Sequence, residues 1–293
     1  MPIKVLLIGA NGFIGSSIKK VLNTEEFSVY PTSRGNNKLK NGFKKFNILD
    51  DQTWEFVHTE VNPTVVVCTA WETEHEVYWQ KQSNFEFFKA IEKFSAFCFK
   101  NGVEKFIGVG SMSEYGFSPG KCNAKITPLN PQDPYSEAKV LTSLALKKNA
   151  QEFGKKANWL RIFQAYGPNE NSKRLIPSLI SNMRMYKPID INFPEHRLDF
   201  IHTQDIAYAF SEVIKKDFNF GINLGTSVAT SVRELCIILA DLLNYPLNKI
   251  NFKIPKSQST RLIYVDPESN LFFNDQLAYT NLTHGLVTLF PYF

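Results

Sequence analysis

Three glycines, Gly9, Gly12 and Gly15, follow the apolar run Lys4-Val5-Leu6-Leu7-Ile8, and far downstream Tyr135 and Lys139 stand four residues apart behind Asp133-Pro134. The first set suits phosphate binding. Gly9 lets the chain leave a buried strand through a tight turn, Gly12 lets backbone N–H groups approach a pyrophosphate with no Cβ in the way, and Gly15 lets helix and strand pack closely. The anion then rests on the positive end of the following helix. Asn11, Phe13 and Ile14 complete that loop. The second set suits proton transfer. Asp133 as N-cap and Pro134 at the first helical position place Tyr135 and Lys139 on one face of a helix's opening turns. A phenol with a pKa near ~10 is a poor acid–base group at neutral pH, and a neighbouring ammonium favours its phenolate. Such a pair can give a proton to, or take one from, a sugar or alcohol oxygen. Ser111, at the end of the run Lys105 to Gly110, is placed to hold the reacting oxygen.

These groups need a sheet whose carboxyl edge gathers them. Strands are read at about 3–8, 27–32, 43–48, 64–69, 104–110 and 157–163, alternating with amphipathic stretches, the pattern of βα units around a parallel sheet. Right-handed crossovers put helices on both faces. The predicted fold is therefore α/β: a Rossmann-type doubly wound parallel sheet with a smaller α/β substrate-binding lobe. In the predicted helix Val77 to Lys100, Phe87, Ile91, Phe94 and Cys98 form one stripe, which Phe85, Phe88 and Phe97 widen. A helix this apolar is expected to bury two sides, one on the sheet and one against a second subunit. From Asn169 the texture changes to helices at roughly 173–186, 203–216 and 232–243 with short strands and proline loops between them. Residues 1–168 are read as the dinucleotide-binding domain and 169–293 mainly as the substrate lobe, with about 195–225 returning to the first. Ser231-Val232-Arg233-Glu234 is a capping box that opens the helix Glu234 to Leu243.

Composition narrows the function classes. The chain has 293 residues, 33 basic and 28 acidic, for a net charge of +5 spread along its length, too mild and too dispersed to argue for nucleic acid. No apolar run approaches the ~20 residues a membrane span needs, and a first strand starting at Ile3 leaves no room for a signal peptide, so no membrane partner and a cytoplasmic location are expected. Cys68, Cys98, Cys122 and Cys236 lie far apart with no zinc-like spacing, and are expected as reduced packed thiols with no metal site.

The glycine loop, then Ser111-Met112-Ser113-Glu114-Tyr115-Gly116, then Tyr135-x-x-x-Lys139, then Arg161-Ile162-Phe163-Gln164-Ala165-Tyr166-Gly167-Pro168 resemble, in order and spacing, the extended short-chain dehydrogenase/reductase family. The resemblance covers nearly the whole chain. It implies a nicotinamide cofactor and a catalytic triad: Tyr135 the acid–base, Lys139 its modulator and ribose ligand, Ser111 the positioner. It implies that Asn84 supports a proton relay, that Cys68, Thr69 and Ala70 line the cofactor, and that Asn47 and Ile48 sit beside adenine where the family usually has an aspartate and an apolar residue. It further implies a homodimer in which the helices Val77 to Lys100 and Tyr135 to Phe153 build a four-helix bundle.

The end of the second strand sets cofactor choice. An acid there binds the ribose hydroxyls of NAD, but this chain has Pro31-Thr32-Ser33-Arg34. Ser33 and Arg34, assisted by Lys38, suit a 2′-phosphate, so NADP(H) is favoured, with NAD(H) the alternative. The family's 4,6-dehydratases carry Asp-Glu after the catalytic hydroxyl, where this chain has Met112 and Ser113. Its GDP-fucose synthase branch has cysteine at Ser113 and histidine at Asn169. The remaining chemistries are NADPH-dependent reduction of a nucleotide-linked 4-keto-6-deoxy sugar, which is favoured, NAD-retaining 4-epimerisation of a nucleotide sugar, and, from another class, a non-catalytic NADP(H)-sensing protein. For a nucleotide-diphosphate sugar the resemblance points to Ser113, Gln164, Arg174, Arg197 and Lys256. Arg197 stands one residue earlier than the family's Arg-Asp-Phe would have it, which on a strand turns it to the opposite face.

Overall fold

The computed structural model describes residues 1–34, 42–72, 74, 77–253, 260–272 and 279–293. Along the first part run β1 (Ile3–Ile8), α1 (Phe13–Val21), β2 (Phe27–Ser33), β3 (Lys44–Lys45), β4 (Val65–Cys68), α2 (Ser83–Lys100), β5 (Lys105–Ser111), β6 (Gly120–Cys122) and α3 (Pro134–Glu152). Then follow β7 (Lys156–Ile162), β8 (Gln164–Tyr166), α4 (Leu175–Arg184), β9 (Ile189–Ile191), β10 (Arg197–His202), α5 (Thr203–Lys215) and β11 (Gly221–Leu224). The remainder holds β12 (Ala229–Ser231), α6 (Val232–Leu242), β13 (Ile250–Phe252), β14 (Leu262–Val265) and α7 (Leu282–Val287).

The main sheet has the order β11-β7-β5-β4-β1-β2-β3, and every pairing in it is parallel. Strand β1 is apolar on both faces because both are covered, as a parallel sheet requires. Val5 and Leu7 pack with Ile18 of α1 and with Ile206 and Phe210 of α5, while Leu6 and Ile8 pack with Phe94 and Cys98 of α2 and Leu146 of α3. Strand order reverses between β1 and β4, and the crevice at that switch point is where such sheets bind ligands. The expectation of a Rossmann-type α/β fold holds.

The second sheet runs β12-β10-β14-β6, with β8 beside β10. Helices α4, α6 and α7 close a separate core over it that includes Ile180, Leu235, Leu239, Ile263 and Leu286. Asp199 of β10 is fully buried at the seam. Its carboxylate accepts hydrogen bonds from Thr226 N (2.6 Å), Thr226 Oγ1 (2.7 Å), Ser227 N (2.9 Å) and Val265 N (3.1 Å). After β10 the chain returns to the main sheet: α5 packs on α1 and β11 becomes the edge strand beyond β7.

Several local readings change. The strand expected over 43–48 is only Lys44–Lys45, because Phe46 and Ile48 turn into the core and Asp50 N closes a turn on Asn47 O at 3.0 Å. The helix expected from Val77 starts at Ser83, after a single 3-10 turn at Tyr78–Gln80 that Lys81 ends in extended backbone. Helix α6 begins at Val232, with the capping box in place: Ser231 Oγ accepts from Glu234 N (3.0 Å) and Glu234 Oε2 from Ser231 N (2.7 Å). All four cysteines are buried and free. No helix among the described residues is long and apolar enough to cross a membrane.

Candidate active site

A cleft of about 540 Å³ opens along the carboxyl edge of the main sheet. One end is the turn after β1. Gly9 has φ +80°, and a Cβ on Gly15 would collide with Gly9 O, so the turn and the helix packed on it require both glycines. Gly12 is the N-cap of α1, and Asn11, Phe13 and Ile14 line the cleft with the three glycines. Asn11 Nδ2 donates to Ser33 Oγ (3.0 Å), which ties the loop to the end of β2, where Thr32, Ser33 and Arg34 continue the lining. Ile48, Thr69 and Ala70 form the adjoining wall.

At the other end stand Ser111, Tyr135 and Lys139. Asp133 caps α3 by accepting from Ser136 N (2.8 Å), with Pro134 in the first turn, so the two functional side chains of that helix leave it on one face. Burial pushes the Tyr135 phenol up to about 12, against a hydrogen bond to Ser111 that pulls it down; Glu114 and Asp133 add to the rise and Arg174 opposes it. The Lys139 ammonium donates to Val109 O (2.8 Å) and lies 3.6 Å from the centroid of Trp71 and 5.6 Å from that of Tyr135. Burial pulls it down to about 7, against the fields of Glu114 and Cys68. At neutral pH, then, Tyr135 carries its proton.

Glu114 holds this end together. It is fully buried, and its Oε1 accepts from Ser111 N (2.8 Å) and Trp159 Nε1 (3.0 Å) while its Oε2 accepts from Arg161 Nε (2.7 Å). The turn after β5 is therefore a capping box from Ser111 to Glu114. Ser113, Gln164 and Arg174, expected on the substrate side, also line the cleft.

The family model for the NAD dependent epimerase/dehydratase family matches residues 5–225. The chain belongs to the NAD dependent epimerase/dehydratase family. Among curated members it is 26% identical over 149 residues to the dTDP-D-glucose 4,6-dehydratase of Mus musculus, covering 49% of this chain and 42% of that one. It is 27% identical over 96 residues to the CDP-abequose synthase of Salmonella muenchen, covering 32% of each. These matches span less than half of those relatives' length. Among solved structures, the UDP-glucose 4-epimerase of Thermotoga maritima with UDP-glucose superposes at a TM-score of 0.83 and 22% identity, covering 98% of this chain and 97% of that one.

Four residues expected in the site of this epimerase/dehydratase-family chain face elsewhere. Cys68 points into the core with Phe94 and Cys98. Asn47 Oδ1 accepts from Leu49 N (3.3 Å) and does not line the cleft. Asn84 is buried behind the lining, where its Oδ1 accepts from Trp71 Nε1 (2.7 Å) and its Nδ2 donates to Tyr78 O (2.6 Å) and Lys81 O (2.8 Å). Arg197, expected to meet the substrate, does not line the cleft and pairs with Glu234 (3.0 Å) and Ala229 O (3.0 Å), the outcome its one-residue displacement along β10 had left open. Lys38 and Lys256 lie outside the described residues.

Sequence reasoning missed Arg261, which enters the cleft from the start of β14 with its Nε buried and unpartnered. Its signal was an arginine directly before an apolar strand, where a buried cation requires a reason. It also missed Trp71, Tyr78 and Trp79, all of which line the cleft. Tyr78 and Trp79 meet Tyr135 edge-on at 4.9 and 5.0 Å between centroids.

Proposed function

We propose that this chain is an oxidoreductase that uses NADPH to reduce a nucleotide-linked 4-keto-6-deoxy sugar to its 4-hydroxy form. The observation that carries the reading is the sign of the lining: among the described residues the cleft presents Arg34, Lys139, Arg174 and Arg261 and not one carboxylate. Elimination of water from a sugar needs an acid and a base beside the hydroxyl serine, and Met112 and Ser113 supply neither. Glu114, the next residue along, has both oxygens committed to Ser111, Trp159 and Arg161.

The residues present fit a dinucleotide: the turn leaves no room for a side chain at Gly9 or Gly15, Thr32 offers a buried hydroxyl with no protein partner, and Arg34 beside Ser33 supplies a cation suited to a 2′-phosphate. Bound there, the reduced cofactor would supply a hydride. Tyr135, held protonated by its burial, gives its proton to the sugar oxygen, and Ser111, which lines the cleft beside it, is the hydroxyl that would orient that oxygen. Arg174 and Arg261 are positioned for the substrate's diphosphate, taking the place expected of Arg197. We also read α2 and α3, which pack side by side, as the surface of a homodimer; a monomeric mass by light scattering at micromolar concentration would contradict that.

The test is NADPH consumption by purified protein offered a panel of nucleotide-linked 4-keto-6-deoxy sugars, with NADH in parallel and product configuration read by NMR. Turnover with NADPH that Tyr135→Phe abolishes is the expected result. Interconversion of unmodified nucleotide sugars without net cofactor consumption would replace the reading with 4-epimerisation, which the likeness to the Thermotoga maritima enzyme favours. NADPH binding without any turnover would replace it with a sensing role.

A further inference from the structure

Lys139 is a buried ammonium with a limited set of neighbours. Its Nζ donates to Val109 O at 2.8 Å, and among the described residues no carboxylate forms an ion pair with it. The charged and titratable groups that act on it are Glu114, from the turn after β5, and Cys68, from β4, with Tyr135 one turn earlier on its own helix. The Glu114 carboxylate is occupied by Arg161 at 2.7 Å, and the Cys68 thiol is held neutral by burial, which pushes it up to about 11. What faces the ammonium closely is an aromatic ring: the Trp71 centroid lies 3.6 Å from Nζ.

That ring is fixed from three directions. Its N–H donates to Asn84 Oδ1 at 2.7 Å. Its plane stacks on Phe87 at 5.4 Å and 27°. Its neighbour Tyr135 meets it edge-on at 6.2 Å and 88°. Asn84 is in turn pinned through both amide hydrogens to Tyr78 O and Lys81 O, so the polar groups of its side chain are all used inside the segment that carries the aromatic wall. An indole face is the best of the aromatic surfaces for a cation, and its attraction grows as water is removed.

We propose that Trp71 is a positioning residue for Lys139, its indole face serving as the seat of the ammonium and Asn84 as the anchor that keeps the seat in place. The functional weight of this inference rests on the reading of Lys139 as the cofactor-side cation; the seat itself does not. It gives Asn84 a role one step removed from the cofactor, acting through Trp71.

The test reads Lys139 directly. Wild type, Trp71→Phe and Trp71→Leu are labelled with trace acetic anhydride across pH, and acetylation of the peptide containing Lys139 is followed by mass spectrometry, with thermal unfolding as a control for the fold. A ring face stabilises the charged form, so removing it lowers the labelling midpoint. The expected fall in Trp71→Leu is about one pH unit, a tenfold shift in the protonation equilibrium, with Trp71→Phe between the other two. If Trp71→Leu does not fold, wild type against Trp71→Phe carries the test with the same sign and a smaller shift. Equal midpoints, or a higher midpoint without the indole, overturn the proposal. Because labelling needs no substrate, a lowered midpoint in a protein that turns over no keto-sugar sinks the proposed reaction and leaves the seat standing, whereas turnover with an unmoved midpoint does the reverse.

Discussion

Replacing Glu114 by glutamine keeps the shape of the side chain and removes its charge, which leaves the Arg161 guanidinium only 5% exposed and without its partner at 2.7 Å. Breaking one side of a buried ion pair costs about 3–5 kcal/mol, because the remaining charge is stranded away from water. A glutamine oxygen can still accept from Ser111 N or Trp159 Nε1, so little is added on that account. Against a total stability of about 5–15 kcal/mol, a loss of this size is a large fraction. Urea titration followed by circular dichroism measures it as a fall in midpoint at unchanged slope. Replacing both partners, Glu114→Gln with Arg161→Met, removes the stranded charge and should recover most of the loss, which makes the cycle strongly non-additive. A Glu114→Gln cost below about 1 kcal/mol, or a double variant as unstable as the sum of the singles, would refute the reasoning that the pair is buried and mutually dependent.

Three further outcomes are expected. Arg34→Asp should weaken NADPH binding at least tenfold while leaving NADH little changed, about 1.4 kcal/mol or more of lost charge pairing; isothermal titration with both cofactors checks it, and equal losses would argue against a 2′-phosphate contact. Arg261→Ala should raise KM for a nucleotide sugar by ten- to a hundredfold, about 1.4–2.7 kcal/mol, whereas Arg197→Ala should leave KM unmoved, and steady-state kinetics on both variants decide which arginine meets the diphosphate. His202 is only 4% exposed and caps α5 by accepting Gln204 N at 3.2 Å, and burial depresses it from 6.5 to about 4. A depressed histidine contributes stability above its unfolded pKa that is lost as pH falls toward the folded value, here up to about 3 kcal/mol between pH 6.5 and pH 4. His202→Asn keeps a capping oxygen and should flatten that acid limb in denaturation curves taken across the window.

What was legible in the sequence was what is local. The glycine loop could be read because a turn's demand for absent side chains is met within seven residues, and Gly9 and Gly15 meet it as the spacing implied. The Tyr135–Lys139 pair could be read because the Asp133 cap and Pro134 fix a helix start. Helical spacing gave the shared face but not the rotamer, so the ammonium's close approach to the Trp71 ring was invisible. Asn84 illustrates the same limit: its position in the chain was clear, and its partners, Trp71, Tyr78 and Lys81, were not. Arg261 was hidden for a different reason. Its place in the cleft depends on β14 pairing in parallel with both β10 and β6, contacts whose partners lie 65 and 143 residues away as Leu262↔Arg197 and Ile263↔Gly120, and no periodicity within β14 announces them. Arg197 was the converse case: its one-residue displacement signalled the opposite face, yet the family pattern still put it on the substrate, and the structure pairs it with Glu234 and Ala229 O instead.

The seam at Asp199 bears on how such a protein can acquire a new substrate. Strand β10 pairs with β12 and β14 through Arg197–Asp199 and with β8 through Phe200–His202, and the chain beyond it runs back through α5 and β11 into the main sheet. A recombinant that exchanged residues 169–293 in one piece for those of another protein would strip the main sheet of an edge strand and of the helix packed on α1. A recombinant cut so as to spare those elements would have to cross at Asp199, whose four hydrogen bonds reach Thr226, Ser227 and Val265. Shuffling of whole lobes is thus a poor route to new specificity in this architecture. On the proposed reading, divergence is left to single substitutions among the residues that line the cleft, such as Trp79, Met112 and Gln164.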